Sequence, residues 1–161
     1  MPKPYPCLWF NGEAEEAAEF YTSVFPDSRI DKVSRAAADT PSGKKGDVIT
    51  VDFSLSGQRY VGLNGGPEFT FDEAISFVID CEDQAELDRY WDALVEGGGT
   101  HGPCGWLKDR FGVSWQVVPA RLYELLKSSD GDAAERAMQA MLRMSKLDVD
   151  ELEAAYEGVK V

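Results

Sequence analysis

Apolar and polar positions along this chain switch repeatedly between a period of two and a period of three to four. The run YPCLWF, residues 5–10, predicts a strand. Ala14, Ala17, Ala18, Tyr21, Val24 and Phe25 then share one side of a helix, with Asn11 and Glu13 as its N-cap and early acid. Pro26-Asp27 stops it. Ser28 to Ala37 predicts a strand, and Ala38 to Gly46 a polar loop. Asp47–Ser56 and Gln58–Asn64 predict a hairpin turning at Ser56-Gly57.

The order then restarts. Ala74–Cys81 predicts a buried strand, and Asp83-x-x-Glu86 a capping box. Leu87, Tyr90, Trp91, Leu94 and Val95 form a second helical face, closed by Gly97-Gly98-Gly99. Cys104 to Pro119 predicts a hairpin through Lys108–Gly112. In its second strand Val113, Trp115 and Val117 point one way, and Ser114, Gln116 and Val118 the other. A shift of 70 residues lays Tyr21 on Trp91, Val24 on Leu94 and Cys7 on Phe77. The chain therefore reads as a weak internal repeat of strand, helix and strands. Beyond Pro119 it becomes helical. Arg121–Ser128 is a short helix. A second begins near Asp130 or Asp132, with Ala134, Met138, Met141 and Leu142 expected to pack against the body. A third is capped by Asp148-x-x-Glu151 and ends at Gly158.

Composition narrows the partners. At 161 residues the chain fits one domain or two small merged modules, and needs no covalent staples to bury a core. A net charge of −13 repels phosphate backbones and anionic lipid, so neither nucleic acid nor a membrane surface is an expected partner. Three cysteines, Cys7, Cys81 and Cys104, follow no CxxC spacing, which predicts reduced thiols in a cytoplasmic protein. No apolar run approaches the ~20 residues of a membrane helix. The opening MPKPYPCLWF lacks the apolar core of a signal peptide.

Few residues carry obvious chemistry. His101 is the single histidine, too few for the usual zinc or iron ligand set, and reads as a solvated turn residue. Cys104 lies near it, but the loop between them predicts no fixed thiolate–imidazole pair. No GxSxG elbow occurs. The glycine run at Gly97 follows a helix and so presents no helix N-terminal amides to a phosphate. What remains is a surplus of aromatic residues near strand ends, beside Asn64, Ser76 and Gln116. That mixture suits a small-molecule cavity.

Three stretches, LWFNGEAEEAAEFYTSVFPDSRI, LNGGPEFTFDEAISFVIDCEDQAELDRYWDALVEGGG and CGWLKDRFGVSWQVVP, resemble the PhnB-like branch of the vicinal oxygen chelate superfamily. The helical tail MLRMSKLDVDELEAAYEG is included in that resemblance. The superfamily holds glyoxalase I, bleomycin-resistance proteins and extradiol dioxygenases, and this branch carries the domain label 3-demethylubiquinone-9 3-methyltransferase. The resemblance implies an α+β fold: two βαβββ modules whose sheets curve into a cupped half-barrel, with a C-terminal helical extension. The modules are expected at 1–73 and 74–119, and the helical tail at 120–161. It also implies a homodimer. The positions matching the superfamily's metal ligands are Pro6, Gly62, Ala74 and Gln116, of which Gln116 alone can ligate. No metal and no cofactor are therefore expected. The expected cavity lining is Leu8, Phe10, Asn64, Phe69, Phe71, Ser76, Trp106 and Gln116.

The function these readings imply is binding of a partly apolar or aromatic small molecule without the metal site. Gln116 would hydrogen-bond that ligand, or satisfy a neighbouring strand or a buried water. Two alternatives stand beside it. One is a metal-dependent lyase, isomerase or dioxygenase, which requires Asp80, Glu82 and His101 to converge. The other is methyl transfer to a quinol-type ring, as the domain label says.

Overall fold

The structure, a computed structural model, describes residues 1–159. The last two residues of the expected 120–161 tail lie outside the described residues. The chain forms two compact units, Met1–Phe71 and Asp72–Val161.

In the first unit the elements are β1 (Cys7–Phe10), α1 (Ala14–Val24), β2 (Arg29–Arg35), β3 (Val48–Leu55) and β4 (Gln58–Asn64). They form an open four-stranded sheet in the order β1-β4-β3-β2, with β1 parallel to β4 and the other pairs antiparallel. The expected strand at Ser28–Ala37 is trimmed at both ends. The β3–β4 turn needs left-handed backbone at both Ser56 and Gly57, φ 47° and 82°, which matches the right-handed twist of a tight hairpin. Ala14, Ala17, Ala18 and Tyr21 bury the apolar side of α1 against Val51, Phe53 and Leu55 of the sheet.

The second unit repeats the plan with β5 (Ser76–Cys81), α2 (Gln84–Ala93), β6 (Thr100–His101), β7 (Trp106–Lys108) and β8 (Ser114–Pro119). Its sheet runs β5-β8-β7-β6, again with the first and last strands parallel. Each unit thus contains a βαβββ module. Asp83 caps α2 by accepting the Glu86 N–H at 2.8 Å, and Glu86 reaches back to the N–H of Glu82 at 2.7 Å. Two expectations change here. Ala74 precedes the strand and sits in an exposed turn. The strand itself is not buried on both faces: α2 covers one side only, and Val78 on the other is 51% exposed. The short β6 strand, directly after the glycine run, escaped the periodicity because two residues carry no period.

Three helices follow: α3 (Ala120–Leu126), α4 (Gly131–Arg143) and α5 (Val149–Glu157). Asp130 and Asp148 cap α4 and α5, and Gly158, with φ 77°, ends α5 in the left-handed conformation. The packed side of α4 is Ala133, Ala137 and Ala140. Met138 and Leu142, expected to pack on the body, are 49% and 58% exposed. Small alanines let α4 lie close to its neighbours, and the larger residues then fall on the outer side. Among the described residues, no helix is long and apolar enough to cross a membrane.

Candidate functional site

Residues paired across a sheet point to the same face, so the register decides which side chains can meet. In the first unit Leu8 pairs with Gly62, Gly62 with Val51, and Phe10 with Asn64. A Cβ on Gly62 would sit 3.1 Å from the Ala14 Cβ, which puts this whole row against α1. Leu8 and Phe10 are buried there. Asn64 is engaged on both ends of its amide: Oδ1 accepts the Ala14 N–H at 2.9 Å, and Nδ2 donates to the Val48 carbonyl at 3.0 Å. It replaces the expected Asn11 cap, since no side chain of the Asn11–Glu13 segment caps the helix. The opposite, helix-free face carries Cys7, Trp9, Val61 and Leu63, beside Thr50, Asp52 and Ser54. Phe69 lies edge-on to Trp9 at 4.9 Å, and Phe71 edge-on to Phe10 at 5.2 Å.

In the second unit the two faces separate as cleanly. His101 pairs with Leu107, and Leu107 with Trp115, whose ring meets Phe77 at 5.3 Å. The His101 ring stacks on Trp91 of α2 at 4.3 Å and 4°, and its Nε2 contacts the Trp91 carbonyl at 3.0 Å. A carbonyl only accepts, so Nε2 carries the proton. His101 is therefore a strand residue held on α2, not a turn residue, though it is solvent-exposed as expected. This is the α2 side.

The helix-free side is built from two rows across the strands. One is Lys108, Ser114 and Ser76; the next is Trp106, Gln116 and Val78. Gln116 Nε2 donates to Ser76 Oγ at 2.9 Å. Lys108 forms an ion pair with Glu73, and that ammonium holds the Glu73 carboxyl below its ordinary range. Ser114 is 1% exposed, and its Oγ is the one buried side-chain oxygen or nitrogen among the described residues with no hydrogen-bond partner. It lines an open cavity of about 480 Å³ at the β6–β7 end of the sheet, together with Glu73, Thr100, the Gly102-Pro103 turn, Trp106 and Lys108, and with His101 and Leu107 from the neighbouring row. That volume lies within the range of small-molecule sites.

The turn before Ser114 is fixed by Asp109. This buried carboxylate accepts the N–H groups of Phe111 and Val113 through Oδ1, at 2.9 and 3.1 Å, and the Trp115 indole N–H through Oδ2 at 2.9 Å. Those bonds set the register of β8 and hence the direction of Ser114. Strand alternation already places Ser114 with Gln116. That its hydroxyl lacks a partner depends on cross-strand neighbours, which no local pattern reveals.

The superfamily's metal does not fit these residues. Pro6 and Gly62 have no donor, Ala74 is off the strand, and Gln116 is a neutral amide bonded to Ser76. Among the described residues no three His, Cys, Asp or Glu side chains come together to hold an ion. Asp80, Glu82 and His101 do not converge; Asp80 accepts the Tyr123 hydroxyl at 2.9 Å.

The comparisons with known proteins agree with this architecture. Residues 2–118 match the family 3-demethylubiquinone-9 3-methyltransferase. The PhnB protein of Bacillus cereus is 37% identical with a TM-score of 0.64, and the match covers 74% of this chain and 100% of that one. The Pseudomonas aeruginosa protein PA1353 shares the fold at 21% identity and a TM-score of 0.56, covering 74% of this chain and 98% of its own. A glyoxylase/bleomycin resistance protein/dioxygenase domain from Frankia sp. EAN1pec aligns at 17% identity, over 74% of this chain and 91% of that one, with a TM-score of 0.48. No curated protein matches the chain. The family match stops at residue 118, so the helical tail, expected to belong to the resemblance, lies beyond it. Through residues 2–118, and with 37% identity to a PhnB protein, the chain belongs to the 3-demethylubiquinone-9 3-methyltransferase family.

Proposed function

We propose that this protein binds a small, partly aromatic molecule on the helix-free face of its second module, without a metal or cofactor. The observation that carries the reading is the open cavity of about 480 Å³, its wall mostly apolar and holding Trp106 beside the charged pair Glu73 and Lys108. Trp106 supplies a flat apolar surface, and the Gln116–Ser76 pair supplies further polar contacts on the same face. Phe69 and Phe71 belong to the other unit and have no assigned part in this cavity. Three free thiols fit a reducing, cytoplasmic setting. The homodimer implied by the family is part of the same reading, and exposed Ile75 and Val78 supply apolar surface for a second copy.

Ligand-detected NMR with a library of ring compounds tests this. Saturable binding that weakens in Ser114→Val and Trp106→Ala is the expected result. Binding untouched by both changes would overturn the site. Native mass spectrometry showing one divalent ion per chain would overturn the metal-free reading. Methyl transfer from S-adenosylmethionine to a quinol would replace binding with the catalysis that the family label describes.

A further inference from the structure

The chain from Met144 to Asp148, between α4 and α5, lies beyond the family match, yet it is bonded to one wall of the cavity. Met144 O accepts the Cys104 N–H at 2.8 Å, and Ser145 O accepts the Gly105 N–H at 2.8 Å. Ser145 Oγ donates to the Gly102 carbonyl at 2.7 Å. Leu147, fully buried, lies under Gly105, where an added Cβ would come within 3.1 Å of it.

The segment is itself held in place. Gln84 at the start of α2 donates Nε2–H to the Leu147 carbonyl at 3.1 Å and accepts the Val149 N–H on Oε1 at 2.9 Å. Lys146 pairs with Asp88 at 3.0 Å.

The turn it grips is unusual backbone. Cys104 and Gly105 both have positive φ, 56° and 82°. A non-glycine residue there is strained and persists only where its surroundings impose it. The same turn carries the cavity wall: Gly102 and Pro103 line it, Gly102 N–H donates to the Trp106 carbonyl at 2.8 Å, and Trp106 N–H donates to the Pro103 carbonyl at 3.0 Å.

We propose that the strap Met144–Leu147 is a positioning element of the binding site, with Ser145 and Leu147 as positioning residues that hold the Gly102–Gly105 turn and through it Trp106. The proposal rests on the cavity's being the ligand site for its functional consequence, but not for its structural one. The family domain ends before this strap, so the wall owes its shape to an element that the domain does not contain.

Full-length protein containing 5-fluorotryptophan gives a separate ¹⁹F signal for each tryptophan, and Trp106→Phe identifies the relevant one. In Ser145→Ala and Leu147→Ala the Trp106 signal is expected to shift or broaden while that of Trp9 stays. Ser145→Ala should also weaken binding of 2-naphthol about two- to tenfold, while the urea midpoint falls by no more than one lost hydrogen bond accounts for and the protein stays folded. Ser145→Thr should restore both readings. Glu153→Gln, elsewhere in the tail, should change neither. An unmoved Trp106 signal in both Ser145→Ala and Leu147→Ala overturns the strap. If 2-naphthol leaves the Trp106 signal of the parent protein untouched, the ligand-site reading fails for it, and the variant spectra still decide the strap.

Discussion

Asn64, the last residue of β4, caps α1 from across the sheet. Its Oδ1 takes the free N–H of Ala14, fifty positions earlier, while its Nδ2 ties the start of β3 through Val48. One amide thus joins the helix to two strands. Asn64→Ala should lower stability by about 1–3 kcal/mol, the cost of a lost cap plus an unpaired carbonyl. Urea unfolding measures it. An unchanged midpoint would mean that solvent replaces the amide fully.

Ser114 should behave in the opposite way. Its hydroxyl is buried without a partner, so Ser114→Ala removes a cost rather than a bond. The unliganded variant should be as stable as the parent or more stable, by up to about 1 kcal/mol. Loss of stability in the same urea experiment would show that the hydroxyl has a partner in solution.

Gly62 occupies one of the positions matching the superfamily's metal ligands, but its missing side chain faces α1. Gly62→Ala should cost about 1–3 kcal/mol, because the added Cβ presses on the Ala14 Cβ of α1 at 3.1 Å. Gly62→Glu would force a carboxylate into that packed layer. It should fold poorly and bind no divalent ion, which thermal melts and metal analysis after dialysis would record. A well-folded Gly62→Glu with bound manganese would show that the sheet turns its other face to α1.

Burial, reinforced by Glu86 and Asp80, pushes the Cys81 thiol up to about 12, from an ordinary 9.0. In the unfolded chain the same thiol ionises near the ordinary value. Between those two values the unfolded state binds fewer protons than the folded one, so stability falls as pH rises. The contribution is intact below pH 9 and is lost by about pH 12. Cys81→Ala should flatten this alkaline limb relative to the parent. Superimposable pH profiles for the two proteins would rule the effect out.

Much of the module was legible because helices and hairpins write their periods locally. Tyr21, Leu87 and Trp91 announce the buried helix sides, and Ser56-Gly57 announces its turn. The faces of the first sheet were not legible. Moving one residue along a strand reverses the side a residue occupies, and nothing near Leu8 or Gly62 says which side holds the helix. The tail misled for a related reason. Met138 and Leu142 look like a packed stripe, but the alanines beside them allow the closer approach that the helices adopt. Ser114 stood in the right row, and its missing partner is a property of three strands together.

The grip of residues 144–147 on the Gly102–Gly105 turn bears on how binding behaviour passes between relatives. A protein sharing only the domain of residues 2–118 lacks the carbonyls that fix this turn, even if every residue of its cavity is the same. On the proposed strap, the shape of this turn depends on residues some forty positions downstream of it, so transplanting the residues of the cavity wall alone would not carry that shape along.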